Sequence, residues 1–168
     1  MRSTPHWGEP PELLLERLVE DTTPSYVEIR RGEPRHLVEC FGAREIRCDT
    51  ADEIGFLHPG VEFFFEALRA IAPRCDALFA GSIFEVIPYS EEELPGRRTS
   101  RVQLVDCYRF GDVDLRNEPF SVRRLLIEEL VSAFASPRIS LAPILPARAS
   151  DGLRAQMTVQ DTLRLVAR

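Results

Sequence analysis

The sequence predicts an α+β fold: a single domain with a largely antiparallel or mixed sheet of about five to seven strands, packed with three helices, or four if the C-terminal tail is helical. Extended runs rich in β-branched and aromatic residues alternate irregularly with amphipathic stretches, and turn-forming residues separate neighbouring runs. The length of 168 residues and the hydrophobic share of 44% are typical of one folded domain. We expect residues 9–168 to form this domain and residues 1–8 to be a flexible N-terminal segment.

The N-terminal part of the chain predicts one helix followed by a β-hairpin. The stretch 10–21 begins with two prolines, and its apolar residues recur at helical spacing. Residues 26–30 and 36–41 are extended runs, and the turn-forming residues 31–34 between them indicate a hairpin. A third run over 45–48 would extend this meander.

Residues 60–72 carry the clearest helical pattern of the chain, with a broad apolar face and a narrow polar stripe. Such a helix is either central in the core or covered by a partner, and a homodimer formed through residues 60–72 is one form of the second interpretation. Residues 77–80 and 83–87 are strand candidates. Gly81-Ser82 between them suits either a hairpin turn or a bulge in one strand.

The C-terminal half predicts a loop, a long strand, a helix and short strands. Residues 90–100 are polar and indicate a loop, whereas residues 101–110 alternate as a strand does. A helix is expected over 121–135 and a short edge strand over 139–141, and the tail 154–168 fits either a strand or a final helix. The expected buried stripe of the helix over 121–135 is Val122, Leu125, Leu126, Leu130, Ala133 and Phe134.

All 21 basic residues are arginine, and against 27 acidic residues they leave a net charge of −6. Because nucleic-acid binding requires a basic surface, this balance argues against it and favours a basic protein partner. No stretch is long and apolar enough for a membrane helix, and the N-terminus lacks the apolar centre of a signal peptide. We therefore expect a cytoplasmic protein that does not attach to membranes.

The motifs that mark common enzymes and metal sites do not occur in the sequence. The absence of lysine excludes a Walker-type nucleotide site and Schiff-base catalysis, and G-x-G-x-x-G, G-x-S-x-G and H-E-x-x-H are also absent. The four cysteines form no C-x-x-C pair and are expected to be reduced core thiols. His36 and Cys40 would lie ~13 Å apart on an extended strand, too far to share a metal ion. We expect no cofactor, no metal and no catalytic residue.

Two acidic loops and one aromatic side chain form the candidate partner-binding surface. Loop carboxylates attract a basic partner, and an aromatic side chain supplies an anchor. The residues are Asp49, Asp52, Glu53, Phe63, Glu91, Glu92 and Glu93. The sequence thus favours a small acidic intracellular protein-interaction module, with an immunity-type or antitoxin-type inhibitor or adaptor as its concrete form by analogy of size and charge.

The alternative is a small α+β enzyme or ligand-binding domain, although an enzyme is the less favoured class. Asp106 on the long strand and Asp112 and Asp114 in the loop after it could gather around a divalent cation. Cys107 is the other candidate group, near the floor of a pocket lined by aromatic residues. Perturbed pKa values inside such a pocket would favour this alternative.

Overall fold

The computed structural model describes residues 25–31, 34–42, 45–49, 57–146 and 161–167. The chain divides into two compact units, one formed by Glu33–Leu141 and the other by Met1–Gly32 with Ala142–Arg168. The described part of the first unit contains a six-stranded sheet and two helices. The α+β class and the largely antiparallel sheet are therefore as predicted.

The strands of the six-stranded sheet are β2 (His36–Cys40), β3 (Ile46–Cys48), β4 (Ser82–Leu94), β5 (Arg97–Phe110), β6 (Val113–Asp114) and β7 (Ile139–Leu141). Their order is β3-β2-β4-β5-β6, and β7 pairs with β5 beside this path. Neighbouring strands are antiparallel except for β5 and β7, which are parallel.

The second unit has a three-stranded sheet of order β8-β1-β9, formed by β1 (Ser25–Arg31), β8 (Ile144–Pro146) and β9 (Asp161–Ala167). The strand interpretation of the tail is therefore confirmed, and the helical one is wrong. The predicted hairpin between residues 26–30 and 36–41 is also wrong, because β1 pairs with β8 and β9 whereas β2 pairs with β3 and β4. Turn-forming residues mark a change of direction but do not determine which strands pair.

The strands β4 and β5 form one long hairpin that is buried in its inner half and exposed in its outer half. Residues 82–89 and 102–107 are almost all buried, whereas residues 92–98 are exposed. The predicted loop over 90–100 is instead paired strand on both sides of a turn at Pro95-Gly96, where Gly96 has a φ of +77°. Charged residues occur at exposed strand positions as well as in loops, so the composition of residues 90–100 did not distinguish a strand from a loop.

The first helix, α1 (Pro59–Phe79), confirms the helix expected over residues 60–72 and continues beyond it. It begins where the Gly60 N–H donates to His58 Nδ1 at 2.9 Å. It passes through a kink at Cys75, two residues after a proline that cannot donate a backbone hydrogen bond. The strand predicted over 77–80 is therefore wrong, since a short apolar run fits either structure. Gly81, with a φ of +89°, begins neither a hairpin turn nor a bulge but links α1 to β4.

The second helix, α2 (Phe120–Phe134), lies close to its predicted range. Its predicted buried stripe is partly right, because Leu130 is buried and Leu126 and Phe134 pack against the core. Ile127 and Leu130 are buried, whereas Val122 and Leu125 are 46% and 63% exposed. The described residues thus contain two helices rather than three or four, and the helix predicted over 10–21 lies outside them. Neither described helix is both long and apolar enough to cross a membrane.

Aromatic side chains join both helices to the sheet. The Phe64 ring of α1 meets the rings of Phe84 on β4 and Phe134 on α2 edge to face, at centroid distances of 5.9 and 5.7 Å. Phe79 at the end of α1 contacts Phe110 in the same way at 5.8 Å. Phe64 and Phe84 are both fully buried, so this cluster is the centre of the core.

We expect Phe64→Ala to lower the free energy of unfolding by about 3–5 kcal/mol, because it leaves a cavity between the sheet and both helices. Leu125→Ala, on the exposed face of α2, should change it by less than about 0.5 kcal/mol. Urea denaturation of both variants measures the difference. Equal losses would mean that Phe64 is not at the centre of the core.

Candidate functional site

The outer half of the β4–β5 hairpin is mostly exposed to solvent, and we call residues 90–98 the hairpin tip. Among its side chains, Leu94 is 59% exposed. Within the described strands, β2 pairs with β4 only as far as Val86, and β7 pairs with β5 only over residues 102–104. The described pairing at the tip is therefore that of a two-stranded ribbon.

Arg101 fixes the tip by binding two of its glutamates. Its Nε lies 2.9 Å from Glu91 Oε2, and its Nη2 donates to Glu93 Oε1 at 2.6 Å. Its Nη1 donates to the Pro137 carbonyl oxygen at 2.9 Å, outside the hairpin. Hydrogen bonds from Thr99 and Arg101 hold the pKa of the Glu93 carboxyl below its ordinary value. The Glu93 carboxyl is therefore charged at neutral pH, and Arg101 positions both glutamates.

The third glutamate of the tip also has a partner within the hairpin. Glu92 Oε1 accepts a hydrogen bond from the Gly96 N–H at 2.9 Å, and Glu92 lies opposite Arg98 in the strand register. Arg97 lies opposite Leu94. The tip therefore presents an ordered pattern of both charges around an exposed leucine, in which Glu91–Glu93, the acidic run predicted to face a basic partner, lie close to arginines.

The remaining predicted partner-binding residues lie in different settings. Asp49 follows β3, and its side chain is 46% exposed. Phe63 is half-buried, with the Arg138 guanidinium 3.8 Å from its ring centroid, so it is not a free aromatic anchor. Asp52 and Glu53 lie outside the described residues.

The apolar face of residues 60–72, considered above for self-association, is buried within the chain. Its core-facing residues are less than a tenth exposed, and they are Val61, Phe64, Phe65, Leu68 and Ala72. This burial supports the interpretation as a central core helix. The exposed positions of this segment include both glutamates and Arg69.

Two carboxylates are buried opposite each other at the centre of the β4–β5 hairpin. Glu85 and Asp106 are register partners, and they are 2% and 1% exposed. Arg123 of α2 donates to Asp106 through Nε at 2.9 Å and through Nη2 at 3.0 Å, and the Cys107 N–H donates to the same carboxylate at 2.8 Å. Arg35 donates to Glu85 at 2.8 Å, and the Tyr108 hydroxyl donates to its other oxygen.

The carboxylates proposed for a cation site are held separately. Asp106 is bound by Arg123 in the interior, whereas Asp112 and Asp114 are exposed. Arg116 binds Asp114 through its backbone N–H and its guanidinium, which lowers the pKa of that carboxyl. Among the described residues, the group of side chains close enough to hold a metal ion lies elsewhere.

Cys107, the candidate nucleophile of the alternative hypothesis, is fully buried. Burial, together with a smaller effect of the neighbouring Asp106 charge, raises the pKa of its thiol to about 12. Since the thiolate is the nucleophilic form, the thiol is unreactive at neutral pH. Burial likewise raises the pKa of Cys40 to about 12, so both behave as the core thiols that the sequence predicted.

The group that can hold a metal ion consists of His36, Cys48 and Asp49, whose ligand atoms all lie within 4.8 Å of one another. This group could not be found by comparing His36 with Cys40 along a single strand, because Cys48 lies on the neighbouring strand. Val38 faces Cys48 in the β2–β3 register, which places Cys48 diagonally across from His36. The signal available in the sequence was the adjacent Cys48-Asp49 pair at the end of a strand expected to extend the same meander.

We expect Arg123→Leu to lower the free energy of unfolding by about 3–5 kcal/mol, because it leaves the Asp106 charge buried without its cation. The double variant Asp106→Asn/Arg123→Leu should lose less, because no buried charge remains unpaired. Thermal or urea unfolding measures both. Arg116→Ala removes an exposed ion pair and is the control, with an almost unchanged melting temperature expected. A loss for Arg123→Leu no larger than for this control would contradict the assignment.

Alkaline pH should destabilise the protein through its buried thiols. Below the unfolded pKa of 9.0 both states keep the proton, but between pH 9 and about 12 only the unfolded chain releases it. Stability should therefore fall by about 1 kcal/mol per thiol from pH 9 to pH 10. Urea denaturation at both pH values measures this fall, and Cys107→Ala should reduce it by roughly half the thiol contribution. An unchanged dependence in this variant would rule out the thiol as the cause.

No protein-family model matches the chain, and no curated protein matches its sequence. The function is therefore inferred from the geometry of these side chains.

Proposed function

We propose that this chain is a protein-interaction module that binds a basic partner protein through the hairpin tip. The observation that carries the proposal is an exposed β-ribbon in which Arg101 holds the side chains of Glu91 and Glu93 in place. A net charge of −6 adds long-range attraction toward a basic protein.

The tip is positioned before any partner arrives. An isolated two-stranded hairpin is only marginally stable in water. Here its inner half is buried, and Arg101 connects both strands of the ribbon to the Pro137 carbonyl oxygen. A partner would therefore not have to offset the entropy of ordering a flexible loop, which favours tight binding.

Leu94 is the anchor that we assign to the contact. It is 59% exposed at the end of β4, next to Glu93 and the turn. A small apolar pocket on the partner would take up its side chain, and cationic groups around that pocket would meet the glutamates of the tip. An immunity-type or antitoxin-type inhibitor of a basic protein is the concrete form of this proposal.

A catalytic alternative finds less support among the described residues. Asp106 and Cys107 are buried, and the first is bound by an arginine while the second is held protonated. Asp114 is bound by Arg116 on the surface. Asp106 and Cys107 therefore belong to the core, and Asp114 belongs to a surface ion pair.

We expect Leu94→Arg to abolish capture of the partner. The new cation would have to enter an apolar pocket and lie next to the basic groups around it. The tagged full-length chain is purified from its native host, and the copurifying proteins are quantified by mass spectrometry. A stoichiometric basic partner should be recovered with the unmodified chain and lost with the variant.

The matched control is Leu125→Arg, because Leu125 is equally exposed but lies on α2. This control should retain the partner, and circular dichroism establishes that both variants are folded. Loss of the partner in both variants, or in neither, would contradict the assignment of the tip. The absence of any stoichiometric partner would contradict the proposed function itself.

A further inference from the structure

We propose that His36, Cys48 and Asp49 form a binding site for a zinc-like divalent cation, which neither the motifs of the sequence nor the proposed partner contact require. The three side chains come from the two strands of the β2–β3 hairpin and the residue that follows it. They lie within the first compact unit.

The backbone holds the three residues together without any ligand. His36 and Val38 lie on the buried face of β2, and Cys48 lies opposite Val38 in the register. Directly after the strand, the Asp49 N–H donates to the Leu37 carbonyl oxygen at 3.1 Å. Strand pairing therefore fixes the position of each ligand-bearing residue.

Two of the three distances between the ligand atoms are close to those of tetrahedral coordination, and the third, between His36 and Cys48, is no longer than 4.8 Å. Asp49 Oδ1 lies 3.6 Å from Cys48 Sγ and 3.8 Å from His36 Nδ1. Bond lengths of ~2.3 Å to sulfur and ~2.0–2.2 Å to nitrogen and oxygen place the ligand atoms of a tetrahedral zinc ion ~3.4–3.6 Å apart. The sulfur–oxygen distance already has this value, and the nitrogen–oxygen distance needs a shift of only a few tenths of an ångström.

The donor set selects the class of ion. A thiolate, an imidazole and a carboxylate together suit Zn²⁺ and similar transition metals, whereas Ca²⁺ and Mg²⁺ prefer oxygen ligands alone. The Cys48 thiol donates a hydrogen bond to Asp49 Oδ1. A bound ion takes the place of that proton, which leaves to solvent, and sulfur and oxygen both coordinate the metal.

The site is exposed to solvent through its aspartate. His36 and Cys48 are buried, whereas the Asp49 side chain is 46% exposed. Three protein ligands leave the fourth tetrahedral position for water or for a group supplied by another molecule. An external ligand would therefore approach the ion from the side of Asp49.

The test is titration of the full-length, chelator-treated and reduced protein with Co²⁺, followed by displacement with Zn²⁺. One Co²⁺ per chain should bind, with the sulfur-to-cobalt charge-transfer band and the intense visible bands of a tetrahedral ion. Cys48→Ala should lose the charge-transfer band. Cys75→Ala, which removes a thiol outside the group, should retain it.

A second pair of variants tests the exposed ligand, where loss of folding is not expected. Loss of a residue that only orients a metal ligand lowers metal affinity by ~10–100-fold. Asp49 is itself a ligand in this proposal, so Asp49→Ala should weaken Co²⁺ binding at least ~10-fold. Asp112→Ala removes another exposed carboxylate and should leave the affinity unchanged. The absence of saturable binding, a charge-transfer band that survives in Cys48→Ala, or equal affinities for the two aspartate variants would overturn the proposal. If Cys48→Ala does not fold, the aspartate pair decides.

Discussion

The buried carboxylates Glu85 and Asp106 impose the constraint on which the rest of the first unit depends. Removing two like charges from water at opposed positions of one hairpin costs several kcal/mol for each, unless cations compensate them. Arg35, just before β2, binds the first, and Arg123, in the first turns of α2, binds the second. Satisfying both charges therefore fixes how the neighbouring strand and the second helix meet the central hairpin.

This arrangement also explains why both candidate sites are positioned rigidly. His36 follows Arg35 directly and pairs with Val86, next to Glu85, so the ion pair that holds β2 also places the histidine of the metal site. The hairpin tip continues the strands that carry the two carboxylates. A firmly held inner hairpin thus supports the exposed outer half.

The periodic elements could be predicted from the sequence, and the long-range pairings could not. Residues 60–72 and 101–110 carry patterns that only one secondary structure satisfies, and both were confirmed. In contrast, Asp106 was considered only as a candidate ligand of the alternative cation site, and the sequence did not identify its partner, an arginine 17 positions away on α2. Likewise, the three glutamates of the tip were predicted from the sequence to form part of an acidic binding surface. Their partner Arg101 became apparent only once the strand register was known.

Hydrogen–deuterium exchange, compared between the free chain and its complex with the copurified partner, tests the division of the hairpin most directly. In the free chain, residues 102–107 should exchange more slowly than residues 90–98, because both segments are strand-paired but only the former are buried. In the complex, residues 90–98 should gain protection while residues 102–107 stay unchanged. Protection that appears elsewhere, with the exchange of residues 90–98 unaltered, would contradict the hairpin tip as the binding surface.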